Sequence, residues 1–156
     1  MLELSSPAFS HDGAIPSRYT CDGENISPPM TISGVPDGTR TLALIMEDPD
    51  VPRTIRSDGM WDHWVLWNIA PDISEISENT APGMAGANTG GKHAYAGPCP
   101  PDREHRYFFT LYALDNELTL ESGASKAALL QAIEEHVLAR ATFMARYERQ
   151  REKRQR

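Results

Sequence analysis

The chain has 156 residues, 40% of them hydrophobic, and a formal charge of −7 at pH 7. That length suits one domain with a sizeable core and hardly two, and no stretch approaches the roughly 18 apolar residues of a membrane span. The charge is uneven: residues 140–156 carry a local +5, which leaves −12 for residues 1–139. An acidic body argues against non-specific nucleic-acid binding. The basic end reads as a solvated, flexible tail at residues 149–156 following a single domain at 1–148, with an arm for nucleic acid or an acidic partner as the alternative.

Met1 to Ser5 shows neither a basic n-region nor an apolar stretch. Cys21 and Cys99, far apart in sequence, make neither a disulfide framework nor a zinc motif. The expectation is a cytoplasmic protein with two separate thiols, a Cys21–Cys99 bridge being the alternative.

Weak strand signals lie near Ala8–Phe9 and Met30–Ile32, and Pro36-Asp37-Gly38 is a strong turn. Thr41–Glu47 is apolar on both faces, which predicts a central strand covered on both sides, stopped by Pro49 and Pro52. His63–Ile69 is a second such strand; strict alternation places His63 on one face with Val65 and Trp67. Residues 80–97 form a long aperiodic Gly/Ala/Asn-rich loop. In the strand Arg106–Leu114, alternation puts His105, Tyr107 and Phe109 on one face and sends Arg106 away. Ser125 is a predicted N-cap for a helix near residues 125–137, with Leu129, Leu130, Ile133 and Val137 as its core stripe. Ala141–Tyr147 reads equally as more helix or as a closing strand.

The polar chemistry gathers at strand ends. Asp48 and Asp50 point the same way in an extended chain; His63 can orient its tautomer against a carboxylate such as Asp48; His105 and Tyr107 share a face. Gly97 allows close approach of a ligand to the main chain, and Pro98, Pro100 and Pro101 stiffen the loop after it. Together these predict a pocket for something small, polar and anionic.

Five segments carry a resemblance: Tyr19–Pro29, Asp48–Pro52, Trp61–Ile69, Gly97–Pro101 and His105-Arg106-Tyr107. In this order they resemble the phosphatidylethanolamine-binding protein family, in its prokaryotic Raf kinase inhibitor-like branch, from about Phe9 to Tyr147. The resemblance implies a mostly β fold, a two-sheet antiparallel β-sandwich with Greek-key connections and few helices, and makes Ala141–Tyr147 a late closing strand. It implies a pocket lined by Asp48, Pro52, His63, Gly97, Pro98, His105 and Tyr107, with Trp61 at the rim. The branch usually has a glycine about where Arg103 stands, so Arg103 either adds a cation to the mouth or faces solvent.

The leading expectation is a non-enzymatic module, without cofactor, that binds phosphate, phosphorylated head groups such as phosphoethanolamine, or carboxylates. As the resemblance implies, it would modulate a kinase or protease and form a homodimer. One alternative is a hydrolase or metal-dependent enzyme using His63, His105 and Asp48. Another is a protein-interaction or protease-inhibitor module.

Overall fold

The computed structural model describes residues 1–149; the rest of the predicted basic tail, 150–156, lies outside the described residues. The strands are β1 (Glu3–Ser5), β2 (Met30–Ser33), β3 (Thr41–Asp48), β4 (Trp61–Ile69), β5 (Glu75–Ile76), β6 (Met84–Ala85), β7 (His105–Leu114) and β8 (Val137–Tyr147), with one α-helix, α1 (Lys126–Ile133). They form two antiparallel sheets, β1-β2-β5 and β6-β4-β3-β7-β8. The chain leaves β4 for the small sheet, returns as β6 at the outer edge, and crosses to the far side of β3 as β7. This non-sequential order is the expected Greek-key layout.

The apolar patterns explain the layers. Leu42, Leu44 and Met46 of β3, Trp64 and Leu66 of β4, and Phe109 and Leu111 of β7 meet Leu4, Met30, Ile32 and Ile76 of the small sheet in one core. Ala43, Ile45, Val65 and Trp67 point to the other face, where Leu114, Leu118, Leu129 and Ile133 cover them. Strand β3 is thus buried on both faces, as its sequence predicts. The Ser125 hydroxyl accepts from the Ala128 N–H, 3.1 Å away, and starts α1.

Several local expectations are corrected. The first strand is Glu3–Ser5, not Ala8–Phe9; Phe9 is instead a loop residue whose ring packs on Phe109 and Phe143. The helix ends at Ile133, so of the predicted stripe only Leu129 and Ile133 are buried, while Leu130 and Val137 are exposed. The ambiguous Ala141–Tyr147 is strand, within β8. The 80–97 loop contains β6, which pairs with Leu66 and Trp67 of β4. Arg149, the first residue of the predicted tail, is docked: its Nη2 lies 2.9 Å from Asp22 Oδ1.

Cys21 and Cys99 are bridged, with Cα atoms 5.4 Å apart across a sequence separation of 78. Sequence alone cannot show this, because the pairing depends on tertiary contacts. The Cys21 N–H donates to the Pro98 carbonyl, the Gly97 N–H to Asn25 Oδ1, and the Tyr95 hydroxyl to the Tyr19 carbonyl. These bonds zip residues 19–25 onto residues 95–99 and bring the sulfurs together. Stable disulfides belong mainly to oxidising compartments, so the cysteines no longer argue for the cytoplasm.

Closing a loop of that length stabilises the fold by about 4 kcal/mol in the chain-entropy account. Cys21→Ser/Cys99→Ser is therefore expected to lose roughly 2–5 kcal/mol in urea unfolding. Thiol titration of the denatured wild type should find two reactive groups only after reduction. Two reactive thiols without reductant would contradict the bridge.

Candidate functional site

In the order β4-β3-β7, antiparallel pairing sets the end of β3 beside the starts of β4 and β7. Asp48, His63 and His105 are therefore sheet neighbours although 57 residues separate the outer two. All three are buried, at 3%, 5% and 0% exposure.

A β-bulge decides which way His63 faces. Met46 pairs with Trp64, but Glu47 pairs with Asp62, so His63 is the extra residue of β4. Bulges of this kind re-aim a side chain. Asp62 stays on the helix-covered face, where Lys126 Nζ lies 2.8 Å from its Oδ1 and 2.7 Å from Glu47 Oε1. His63 turns to the other face, edge-on to Tyr107 with ring centroids 5.3 Å apart. The expectation that His63 shares a face with Val65 and Trp67 is thereby overturned: those two lie in the helix-side core.

The two histidines are held differently. His63 Nδ1 is 2.6 Å from the Ala96 carbonyl, whose residue returns a backbone bond from its N–H to the His63 carbonyl. A carbonyl only accepts, so Nδ1 carries the proton and Nε2 is a bare acceptor when the ring is neutral. Burial pushes the His63 pKa below 6.5 and favours this neutral form, against the weaker opposite pull of the Ala96 bond and Asp48. Asp48, expected as a partner of His63, instead takes His105: its Oδ2 is 2.6 Å from His105 Nδ1. His105 Nε2 lies 2.8 Å from Asp102 Oδ1. Two carboxylates on one ring require a proton in each contact.

Asp48 and Asp50 diverge, contrary to the extended-chain expectation. Asp48 Oδ1 accepts from the Asp50 N–H, a tight Asx-type turn. That turn sends the Asp50 carboxylate to Arg106, which donates through its N–H, Nε and Nη2 at 2.8–2.9 Å. This bond to Arg106 holds Asp50 below the ordinary carboxyl range. Arg106 points away from Tyr107, as alternation predicts.

A cavity of about 420 Å³ opens over this cluster. Of the predicted residues, Asp48, Trp61, His63, Gly97 and His105 line it; Pro52, Pro98 and Tyr107 do not. The Pro52 carbonyl accepts from the Ile55 and Arg56 N–H groups, closing the turn that presents Val51 and Ile55 to the cavity. Pro98 sits behind the wall, bonded to Cys21. Tyr107 lies fully buried beside the histidines rather than on the wall. Burial and the Asp48 charge raise its pKa far above the phenol range, so the hydroxyl stays a donor. Gly97 serves the chain itself: a Cβ there would meet Asn25 Oδ1 at 2.2 Å and the Tyr19 carbonyl oxygen at 2.5 Å. Arg103 lies outside on the loop, 3.6 Å from Asp102 Oδ2, with its side chain 61% exposed.

The wall also contains Cys21, Cys99, Asn25 and Ala96, with Pro100 and Pro101 at the loop. Sequence reasoning placed the Gly97–Pro101 loop at the pocket but missed Cys21, Asn25 and Ala96, because that part of the wall is assembled by the disulfide and by loop pairing. Asp102 was missed as well, although its position three residues before His105 and directly after Pro100-Pro101 is a signal once His105 is suspected. Near the floor, His63 Nε2 is buried without a hydrogen-bond partner among the described residues, and the Tyr107 hydroxyl beside it is turned toward the Asp48 carboxylate. A partnerless polar atom in a native interior calls for water or a ligand.

A depressed histidine pKa contributes stability that is present above 6.5 and is lost as pH falls below it, because the unfolded chain then takes up a proton that the folded chain refuses. Denaturant midpoints of the wild type should therefore fall from about pH 6.5 downward. His63→Asn, whose amide can still donate to the Ala96 carbonyl, should show a shallower decline. Equal slopes in the two proteins would contradict the assignment.

Comparison with known proteins agrees with this architecture. The family model described as phosphatidylethanolamine-binding protein matches residues 5–148. The UPF0098 protein of Chlamydia pneumoniae is 48% identical over 149 residues, 95% of this chain and 99% of that protein. The crystal structure of a phosphatidylethanolamine-binding protein homologue, CT736 of Chlamydia trachomatis, superposes with a TM-score of 0.93 at 45% identity, covering 96% of this chain and 98% of that one. YbcL of Escherichia coli, whose structure is described as a new member of the mammalian family, gives 0.85 at 27% identity, covering 96% and 99%. With its fold and these likenesses in agreement, the chain belongs to the phosphatidylethanolamine-binding protein family.

Proposed function

We propose that the protein is a non-enzymatic binding module for a small oxyanion, such as phosphate, a phosphorylated head group or a carboxylate, held over His105 and His63. The observation that carries this reading is His63 Nε2, a buried polar atom without a hydrogen-bond partner among the described residues, beside a cavity that His63 and His105 line. His105 Nε2–H is the donor for an anionic oxygen, with Asp48 behind it stabilising the ring's proton on the far side. His63 Nε2, when neutral, accepts rather than donates. The ligand it suits carries its own donor: a P–OH group, a hydroxyl or an ammonium. Phosphoethanolamine and hydrogen phosphate meet this demand better than a bare carboxylate. Val51, Ile55, Trp61 and Pro101 add apolar surface for a short tail.

Catalysis fits less well. A metal held by both histidines needs a lone pair on each; His63 Nε2 has one, but both ring nitrogens of His105 face carboxylates and carry protons there. Cys99 is in the bridge and offers no thiolate nucleophile. In this reading the kinase or protease partner and the homodimer that the resemblance implies act downstream of pocket occupancy.

The test is a titration of phosphate and phosphoethanolamine into the wild type and into Asp48→Asn/His105→Ala. The double variant avoids leaving a lone buried carboxylate, which costs several kcal/mol. Amide signals of residues 48, 63, 96, 97, 99 and 102–105 should move together in the wild type. The variant should lose roughly 10- to 100-fold in affinity, the loss of one charge-assisted hydrogen bond. Unchanged affinity, or shifts confined to other surfaces, would overturn the proposal.

A further inference from the structure

The donor that the proposed ligand needs is already taken by the chain itself. Asp102 Oδ1 stands 2.8 Å from His105 Nε2, where an oxyanion in the pocket would accept. The Asp102 side chain is 41% exposed while that of His105 is 1% exposed. An exposed carboxylate has therefore left much of its water for a buried imidazole. Its loop is short and stiff, with Pro100 and Pro101 before it and His105, the first residue of β7, three positions after. Pro100, Pro101 and His105 line the cavity; Asp102, between them in sequence, does not line it itself but reaches the His105 ring from the same loop.

We propose that Asp102 is a tethered competing ligand: its carboxylate occupies the oxyanion position on His105 Nε2, and a ligand enters only when the 102–104 segment, beyond the stiff Pro100-Pro101 pair, turns Asp102 out. This rests on the oxyanion-pocket reading above and adds its regulation.

Three observations support exclusion rather than cooperation. A ligand oxygen and Asp102 Oδ1 compete for the single N–H at Nε2, since Nδ1–H is committed to Asp48. Two anions side by side on one imidazolium repel each other. The second carboxylate oxygen of Asp102 has its own cation outside the cavity, Arg103 Nε at 3.6 Å. Arg103 also reaches the carbonyls of Glu104 and Asp50, at 3.3 and 3.5 Å. The displaced carboxylate thus has a place to go without losing all compensation. The hydrogen bond to His105 is the largest influence holding the Asp102 carboxyl below its ordinary range.

The consequence is a discount on affinity. If the open loop is populated by only a fraction of molecules, the apparent dissociation constant is the intrinsic one divided by that fraction. A closed population of about nine in ten weakens every ligand about tenfold. Anything that draws Asp102 outward, such as a basic partner segment, would raise the pocket's affinity without touching the ligand.

The experiment is titration of inorganic phosphate into the wild type, Asp102→Ala and Glu104→Ala at one low ionic strength. Both substitutions remove one negative charge from the same exposed loop, but only the Asp102 carboxylate is bonded to the His105 ring, the Glu104 carboxylate lying toward Arg146. The expected result is phosphate binding about tenfold tighter in Asp102→Ala than in the wild type, and changed less than about twofold in Glu104→Ala. Equal gains in both variants would reduce the effect to general field and overturn the tether. Equal, measurable affinity in all three proteins would overturn the tether and leave the pocket standing. No binding by any of them would remove the pocket reading and the tether with it.

Discussion

The Asp48 carboxylate is taken out of water at the end of β3, and its charge is answered by His105 Nδ1, 2.6 Å away at the start of β7. Neither group tolerates that burial alone, since breaking a buried pair leaves an uncompensated charge. The pair therefore fixes the relative position of two strand ends that the chain reaches 57 residues apart. Asp48 Oδ1 also accepts the Asp50 N–H, so one side chain both orients the imidazole and turns the chain out of the sheet. The Asp50 carboxylate then leaves the cavity side for Arg106.

Around this pair the site is a junction of three kinds of constraint. Sheet pairing supplies the floor. The bulge at His63 supplies the second imidazole from the neighbouring strand. The Cys21–Cys99 bridge and the Gly97–Asn25 bond supply the wall, tying the 19–25 segment to the 95–99 segment. The first is a consequence of the large core, where Leu42, Leu44, Met46, Trp64, Leu66, Phe109 and Leu111 fix the registers. The other two are local devices laid on that frame. The chemistry that results is asymmetric: His105 offers a donor backed by a carboxylate, and neutral His63 offers an acceptor.

The apolar strands were legible because their periodicity is set by the core they fill. Leu42, Leu44 and Met46 alternating with Ala43 and Ile45 could only belong to a strand covered twice. The gathering of Asp48, His63 and His105 was legible through the strand ends and the family's motifs. The features that stayed hidden depart from regular alternation or depend on distant contacts. A bulge breaks the period-two rule without leaving a compositional mark at His63. Tyr107, read as wall, lies buried beside the histidines, and Gly97, read as room for a ligand, is filled by Asn25 and Tyr19. The bridge needed knowledge of which loops meet, and Asp102 needed the position of His105 Nε2.

The central claim is that the two imidazoles play opposite roles, and the ring nitrogens report it directly. Long-range nitrogen–proton correlation of histidine-labelled protein at neutral pH, with and without phosphate, separates the tautomers. The account predicts His63 protonated at Nδ1 alone, as burial and the Ala96 carbonyl dictate, and both ring nitrogens of His105 in hydrogen bonds. Phosphate should shift His105 Nε2 and His63 Nε2 together. A His63 ring protonated at Nε2, or a phosphate response that spares both nitrogens, would contradict it.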